Sequence, residues 1–185
     1  REVEEIVKEV ERLVRENDKV AKEIVDESKR LVEENRKRVE EIRREVEELI
    51  RRLEDAVRKE RRKEDLARKV KELRDTVERL VRELKKHSEE VLRRDEDLVR
   101  RLRRHSEKLK KDVDDLVRDL ERKSDDKRVK DLLEELRKRV KDSRKKSEEL
   151  LEESERRSKK SLDDTRRVLK DARDIVEKVA DEVRK

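Results

Sequence analysis

The residues with the most chemistry to offer are two histidines, His87 and His105, an aspartate at an otherwise apolar position, Asp95, and a scattered set of amides and hydroxyls. The histidines stand 18 residues apart. That is five helical turns, which puts both on one helix face but roughly 27 Å apart, so one metal ion cannot take both. An imidazole buried in its neutral form would make a pH sensor, its folded pKa below the unfolded value of about 6.5 and its stabilisation present above about pH 6.5 and lost as pH falls. Pairing of His105 with Asp18, its counterpart across a hairpin, would reverse that sign. The plainer expectation is that both rings serve a structural network or the bundle rim. Asp95 resembles a general acid, yet its expected neighbours are hydroxyls, with neither cleft nor activated nucleophile beside it. Hydrogen bonding is therefore its expected role. No catalytic residue, cofactor site or metal site is predicted, and the chain is not expected to be an enzyme.

The elements that hold these residues follow from composition and spacing. Charged residues make up 63% of the 185 and hydrophobic ones 29%, while Gly, Pro, Cys, Met, Trp, Tyr and Phe are absent. Charge and hydropathy alone would class such a chain as disordered. Its apolar residues, however, are Val, Leu, Ile and Ala placed at helical intervals among strong helix formers. In the first third they recur, with small polar substitutes, from Val3 to Ala56 in fifteen steps covering 53 residues, a mean of 3.53. This is the coiled-coil interval of about 3.5. Flanking residues such as Ile6, Leu13, Val20, Val25, Val32 and Ile50 widen the stripe, as contact with two neighbouring helices requires.

The stripe fades between Arg58 and Asp65 and again between Glu121 and Arg128. The prediction is one helical bundle over residues 1–185, with helices at about 1–60, 64–122 and 125–185. Ser124-Asp125-Asp126 reads as a helix start with oxygen-bearing caps.

Polar residues interrupt the stripes at related places. Asn17, Ser28 and Asn35 lie in the first segment, Ser88, Asp95 and Ser106 in the second, and Ser143, Ser154 and Ser161 in the third. Facing residues of an antiparallel pair share a constant sum of numbers. Asn17 with Ser106, Ser28 with Asp95, and Asn35 with Ser88 all add to 123. Ser106 with Ser143, Asp95 with Ser154, and Ser88 with Ser161 all add to 249. Half of each sum places the turns near 61.5 and 124.5, where the apolar pattern fades. The predicted fold is all-α, an up-down-up antiparallel three-helix bundle with coiled-coil-like packing.

Each third-segment serine has a hydroxyl partner one turn on: Ser143 with Ser147, Ser154 with Ser158, Ser161 with Thr165. One layer is expected to join Asn17 and Ser106 to Ser143 and Ser147, a second Ser28 and Asp95 to Ser154 and Ser158, and a third Asn35 and Ser88 to Ser161 and Thr165. His105 and His87 adjoin the first and third, and the spacing admits either His or Ser at the inner position of 87/88 and of 105/106. Sliding a helix by one heptad preserves apolar packing but strands buried amides and hydroxyls, at roughly 1–3 kcal/mol each. The layers therefore specify register and topology.

The restricted alphabet, the near-heptad stripes and these layered Asn, Ser, His and Asp sites resemble de novo designed coiled-coil bundles with buried hydrogen-bond networks. The resemblance spans the whole sequence and implies a scaffold, oligomer or switch component without natural biochemical activity. The favoured expectation is a single-chain scaffold, monomeric and requiring no partner. The alternative is a helix-mediated interaction module, a designed oligomer or a binder of a partner helix. The formal charge of +6 is the remainder of 61 basic and 55 acidic residues mixed at short range. The basic runs at 58–63 and 100–104 read as solvated surface, with no aromatic to stack on a base, and no nucleic acid is expected. No apolar run approaches a membrane span, and a third possibility, a lipid-surface helix, would need a broad apolar face with aromatic or bulky anchors, which vesicle binding would check. No targeting signal is read at Arg1-Glu2-Val3-Glu4, so the expectation is a soluble chain, cytoplasmic if made in a bacterial host.

Overall fold

The computed structural model describes residues 2–60 and 62–184. It contains three helices: α1 (Glu2–Lys59), α2 (Lys63–Lys123) and α3 (Lys127–Arg184). Nothing in the sequence interrupts them, since no Gly or Pro occurs and strong helix formers fill the exposed faces. Charge at the ends favours the helix dipoles. Glu2, Glu4 and Glu5 open α1 and Arg58 and Lys59 close it; Glu64 and Asp65 open α2 and Arg122 and Lys123 close it. The first turn of α3 has no acidic residue and is capped instead. Asp126 Oδ1 accepts the backbone N–H of Arg128 at 3.0 Å, and Ser124 Oγ accepts that of Asp126 at 3.4 Å.

The contacts divide the chain into two compact units, each drawing on all three helices. One comprises Arg1–Arg30 with Asp95–Arg156, the other Leu31–Arg94 with Arg157–Lys185. In the first unit Val10, Leu109, Val113, Val117, Leu120, Leu133, Leu136 and Val140 form one core cluster. Ala21, Ile24, Val99, Leu102 and Leu151 form another. In the second unit the core runs through Val39, Ile42, Val46 and Leu53 of α1, Val70 to Leu84 of α2, and Ala172, Val176 and Ala180 of α3. Within each unit α1 faces α2 antiparallel and α3 parallel, so the architecture is the up-down-up three-helix bundle. The helix ends bracket the turn centres read from the sums 123 and 249.

The surface is laced with short-range ion pairs such as Arg12 with Glu9 and Arg36 with Glu33, both at 2.6 Å. Hydrogen bonds from Arg12, Arg36 and Lys69 hold the carboxyls of Glu9, Glu33 and Glu60 below the usual carboxylate range. A lowered folded pKa stabilises above the unfolded value of about 4.3 and loses that contribution as pH falls through the folded value. Glu33 is exposed and Glu9 and Glu60 are only half-buried, so their effect is small. A melt series should show them only as a slight further loss below about pH 4, reduced by added salt.

Candidate functional site

The polar residues at stripe positions are the site to examine, because burying them without partners would be costly. Asn17, Ser28, Asn35, Ser88, Asp95, Ser106, Ser143, Ser147, Ser154, Ser158 and Thr165 are buried, and Ser161 is half-buried. At the two His-Ser pairs the serine takes the inner position and the histidine is half-buried beside it. A helix advances about 100° per residue, so only one of two neighbours can point at the axis.

In the first unit Asn17 is fully buried and its side chain reaches both other helices. Its Nδ2 donates to Ser143 Oγ and Ser147 Oγ, each at 3.2 Å. Its Oδ1 lies 3.0 Å from His105 Nδ1. Because the amide nitrogen is spent on hydroxyls, the oxygen must accept, and His105 must carry a proton on Nδ1. Ser143 passes the chain outward, its hydroxyl donating to Asp18 Oδ1 at 2.7 Å. Asp18, the residue across the hairpin from His105 by number, thus serves Ser143, and His105 bonds to Asn17. Ser106 also departs from its expected partner. Its hydroxyl accepts from Arg144 Nε at 3.3 Å, a residue that stripe reading overlooks because it lies beside the seam and reaches in by side-chain length.

The same unit holds the middle layer. Ser28 donates a short hydrogen bond to Asp95 Oδ1, and its oxygen lies 2.5 Å from Ser154 Oγ. Ser158, expected in this layer, is buried and has a polar interaction of its own.

In the second unit Asn35 repeats the pattern of Asn17. Its Nδ2 donates to Ser161 Oγ at 2.8 Å and Thr165 Oγ1 at 3.1 Å, while its Oδ1 accepts from Ser88 Oγ at 2.8 Å. Thr165 in turn donates to the Ser161 carbonyl at 2.9 Å. Each asparagine therefore saturates its amide through an i, i+4 hydroxyl pair on α3 and one donor on α2, an imidazole for Asn17 and a hydroxyl for Asn35. His87 is left outside this layer. Its Nε2 lies 3.7 Å from Glu34 Oε1, and its Nδ1 is buried without a hydrogen-bond partner. Arg157 likewise has Nε and Nη2 buried without partners.

These two environments call for opposite tautomers. The amide oxygen of Asn17 requires Nδ1–H on His105, whereas the carboxylate of Glu34 favours Nε2–H on His87. Nitrogen-15 NMR at alkaline pH should show one histidine of each kind. Two Nε2–H rings would rule out the bond from His105 to Asn17.

Among the described residues no group of three or more His, Cys, Asp or Glu side chains could hold a metal ion. Nor is any described helix long and apolar enough to cross a membrane. An open groove of about 750 Å³ in the first unit is lined by residues of α1 and α2, among them Leu13, His105, Leu109 and Leu116. Its rim mixes acids and bases, among them Glu9, Arg12, Asp112 and Arg118.

No known protein family matches the chain, and no curated protein does. Among solved structures it is similar to one described as a computationally designed three helix bundle, with 24% sequence identity and a TM-score of 0.36. The match covers 98% of this chain and 85% of the other.

Proposed function

We propose that this chain is a designed structural scaffold whose polar layers select one helix register and topology, and that it has no natural biochemical activity. The observation behind this reading is the saturation of Asn17 and Asn35. Each is buried with its amide bonded to side chains of both other helices. Every bond from these asparagines to α3 spans 126 or 130 residues. One amide thus checks two neighbours at once, and a displaced helix leaves it buried with unmet donors and acceptors. The amides and hydroxyls of these layers are bonded to one another, which leaves them committed to packing and not to a substrate.

A scaffold of this kind needs no partner. Light scattering should give 22.7 kDa regardless of concentration, with a single cooperative melt. A mass that climbs with concentration to a dimer or trimer would favour the interaction-module reading, for which Val57 and Ile175, exposed large hydrophobics among the described residues of the second unit, would be the first contacts to test.

A further inference from the structure

Helical hairpins ordinarily reverse at residues with turn chemistry, most often a glycine in the left-handed region. This chain has no Gly or Pro, and no described residue has a positive φ. The α2–α3 turn has a local substitute in the caps of Ser124 and Asp126. Among the described residues the α1–α2 turn shows no such side-chain cap on a backbone N–H, although Asp65 hydrogen-bonds Glu60. Glu60 N–H bonds to the Ala56 carbonyl and Leu66 N–H to that of Arg62, both continuing the ordinary helical ladder, and Lys69 reaches Glu60 at 3.0 Å. Any stretch of charged helix formers could do as much.

We infer that the α1–α2 turn is placed by the buried polar layers and not by the residues of the turn. This rests on the reading of the layers as register devices and extends it to where the chain reverses. The turn centre of an antiparallel pair is half the shared sum, so sliding α1 by one heptad changes 123 to 116 or 130 and moves the turn from 61.5 to 58 or 65. Apolar residues still meet apolar residues after such a slide. Residues 56–60 and 63–67 read AVRKE and KEDLA, no poorer in turn chemistry than the segment that is used.

The layers oppose the slide. At a sum of 116 Asn35 would face Val81 and Asn17 would face Val99; at 130 Ser28 would face Leu102 and Asn17 would face Val113. Their spacing makes this general. Successive layers are 11 and 7 residues apart in α1, at 17, 28 and 35, and likewise in α2 and α3. The three separations, 7, 11 and 18, all differ. Each is close to a whole number of turns, so these are the slides that return the stripe to the core. Because α1 is one continuous helix, any of them brings only one of its layers opposite another and strands two. Two equal spacings of 7 would have left two layers matched after a one-heptad slide. The one survivor is also mismatched: at 116 the hydroxyl of Ser28 would face Ser88 where the Asn35 amide now supplies both donors and an acceptor.

Disulfide trapping in the full chain, which has no native Cys, tests this. Ile42→Cys with Val81→Cys reports the sum 123, Val39→Cys with Val77→Cys reports 116, and Val46→Cys with Leu84→Cys reports 130. Each pair goes into three backgrounds. These are the parent, a turn variant (Glu60→Ala, Arg62→Ala, Lys69→Ala), and a layer variant (Asn17→Leu, Ser28→Val, Asn35→Leu, Ser88→Ala, Asp95→Leu, His105→Leu). Parent and turn variant should trap only the first pair. The layer variant should trap the slipped pairs at a yield about tenfold or more above the parent while circular dichroism stays helical.

Slipped pairs in the turn variant, or their absence from a helical layer variant, would overturn the inference. If the layer variant is not helical, Asn17→Leu with His105→Leu replaces it, and a slipped yield at the parent level would again overturn. Light scattering separates this from the scaffold reading. A layer variant that traps only the native pair but forms mixed oligomers defeats the turn inference alone; one that traps only the native pair and stays a uniform monomer defeats both.

Discussion

Asn35→Leu is expected to lower the free energy of unfolding by about 3 kcal/mol. The leucine gains some apolar burial, but three hydroxyls lose their shared partner. Ser88 loses its acceptor, and Ser161 and Thr165 lose the donor that both accept. Thr165 keeps its own bond to the Ser161 carbonyl, which limits the loss. The diagnostic is compensation. Removing the remaining polar groups of the layer, with Ser88→Ala, Ser161→Ala and Thr165→Val added, should recover most of the stability, because the cost lies in stranded partners and not in the amide itself. Urea titration would measure this as a midpoint that falls and then returns at constant slope. Equal stability of the parent and Asn35→Leu would mean that the layer does not discriminate between a paired and an unpaired core.

Asp95→Leu is expected to act in the opposite direction, raising stability by about 1–3 kcal/mol. A buried carboxylate forfeits hydration that its bonds only partly replace, and leucine fills the site with the chemistry of its neighbours, since Leu102 and Val99 lie in the adjoining core cluster. Ser28 is not stranded by the change, because its hydroxyl already sits against Ser154 and can donate there. The contrast is Ser28→Ala, which withdraws a donor from the carboxylate and should cost about 2 kcal/mol. The same titrations check both. A loss of stability in Asp95→Leu would show that Asp95 is an indispensable acceptor.

That the two layers respond with opposite sign is a consequence of chemistry and not of position. Asn is neutral, so its burial is tolerable once its amide is bonded, and its removal harms only its partners. Asp carries a charge whose desolvation weighs against it even when bonded. A carboxylate at such a place is therefore expected to weigh against stability even with its hydrogen bonds made.

Much of this was legible in the residues alone. A near-heptad stripe in a chain without Gly or Pro has no low-energy alternative to long helices, and the constant sums follow from the geometry of antiparallel pairing, whatever the side chains do. Helix count, direction and the membership of Asn17, Ser28, Asn35, Ser88 and Asp95 in buried positions are properties of periodicity. Periodicity is also blind to residues just off the seam. Arg144 and Asp18 enter the first layer from its flank, and no count of apolar intervals singles them out.

Sequence by itself thus determined the helices, the heights at which the core turns polar and the residues opposed across it, because those depend only on a fixed rise and rotation per residue. The tertiary structure alone decided who bonds to whom. It turned Ser88 and Ser106 inward and set the histidines beside them. It gave the Asn17 carbonyl to His105 and the Asn35 carbonyl to Ser88, and it sent Ser143 to Asp18. Two adjacent side chains of different length can both reach one amide, and only rotamers and the packing of the facing helices determine which of them does.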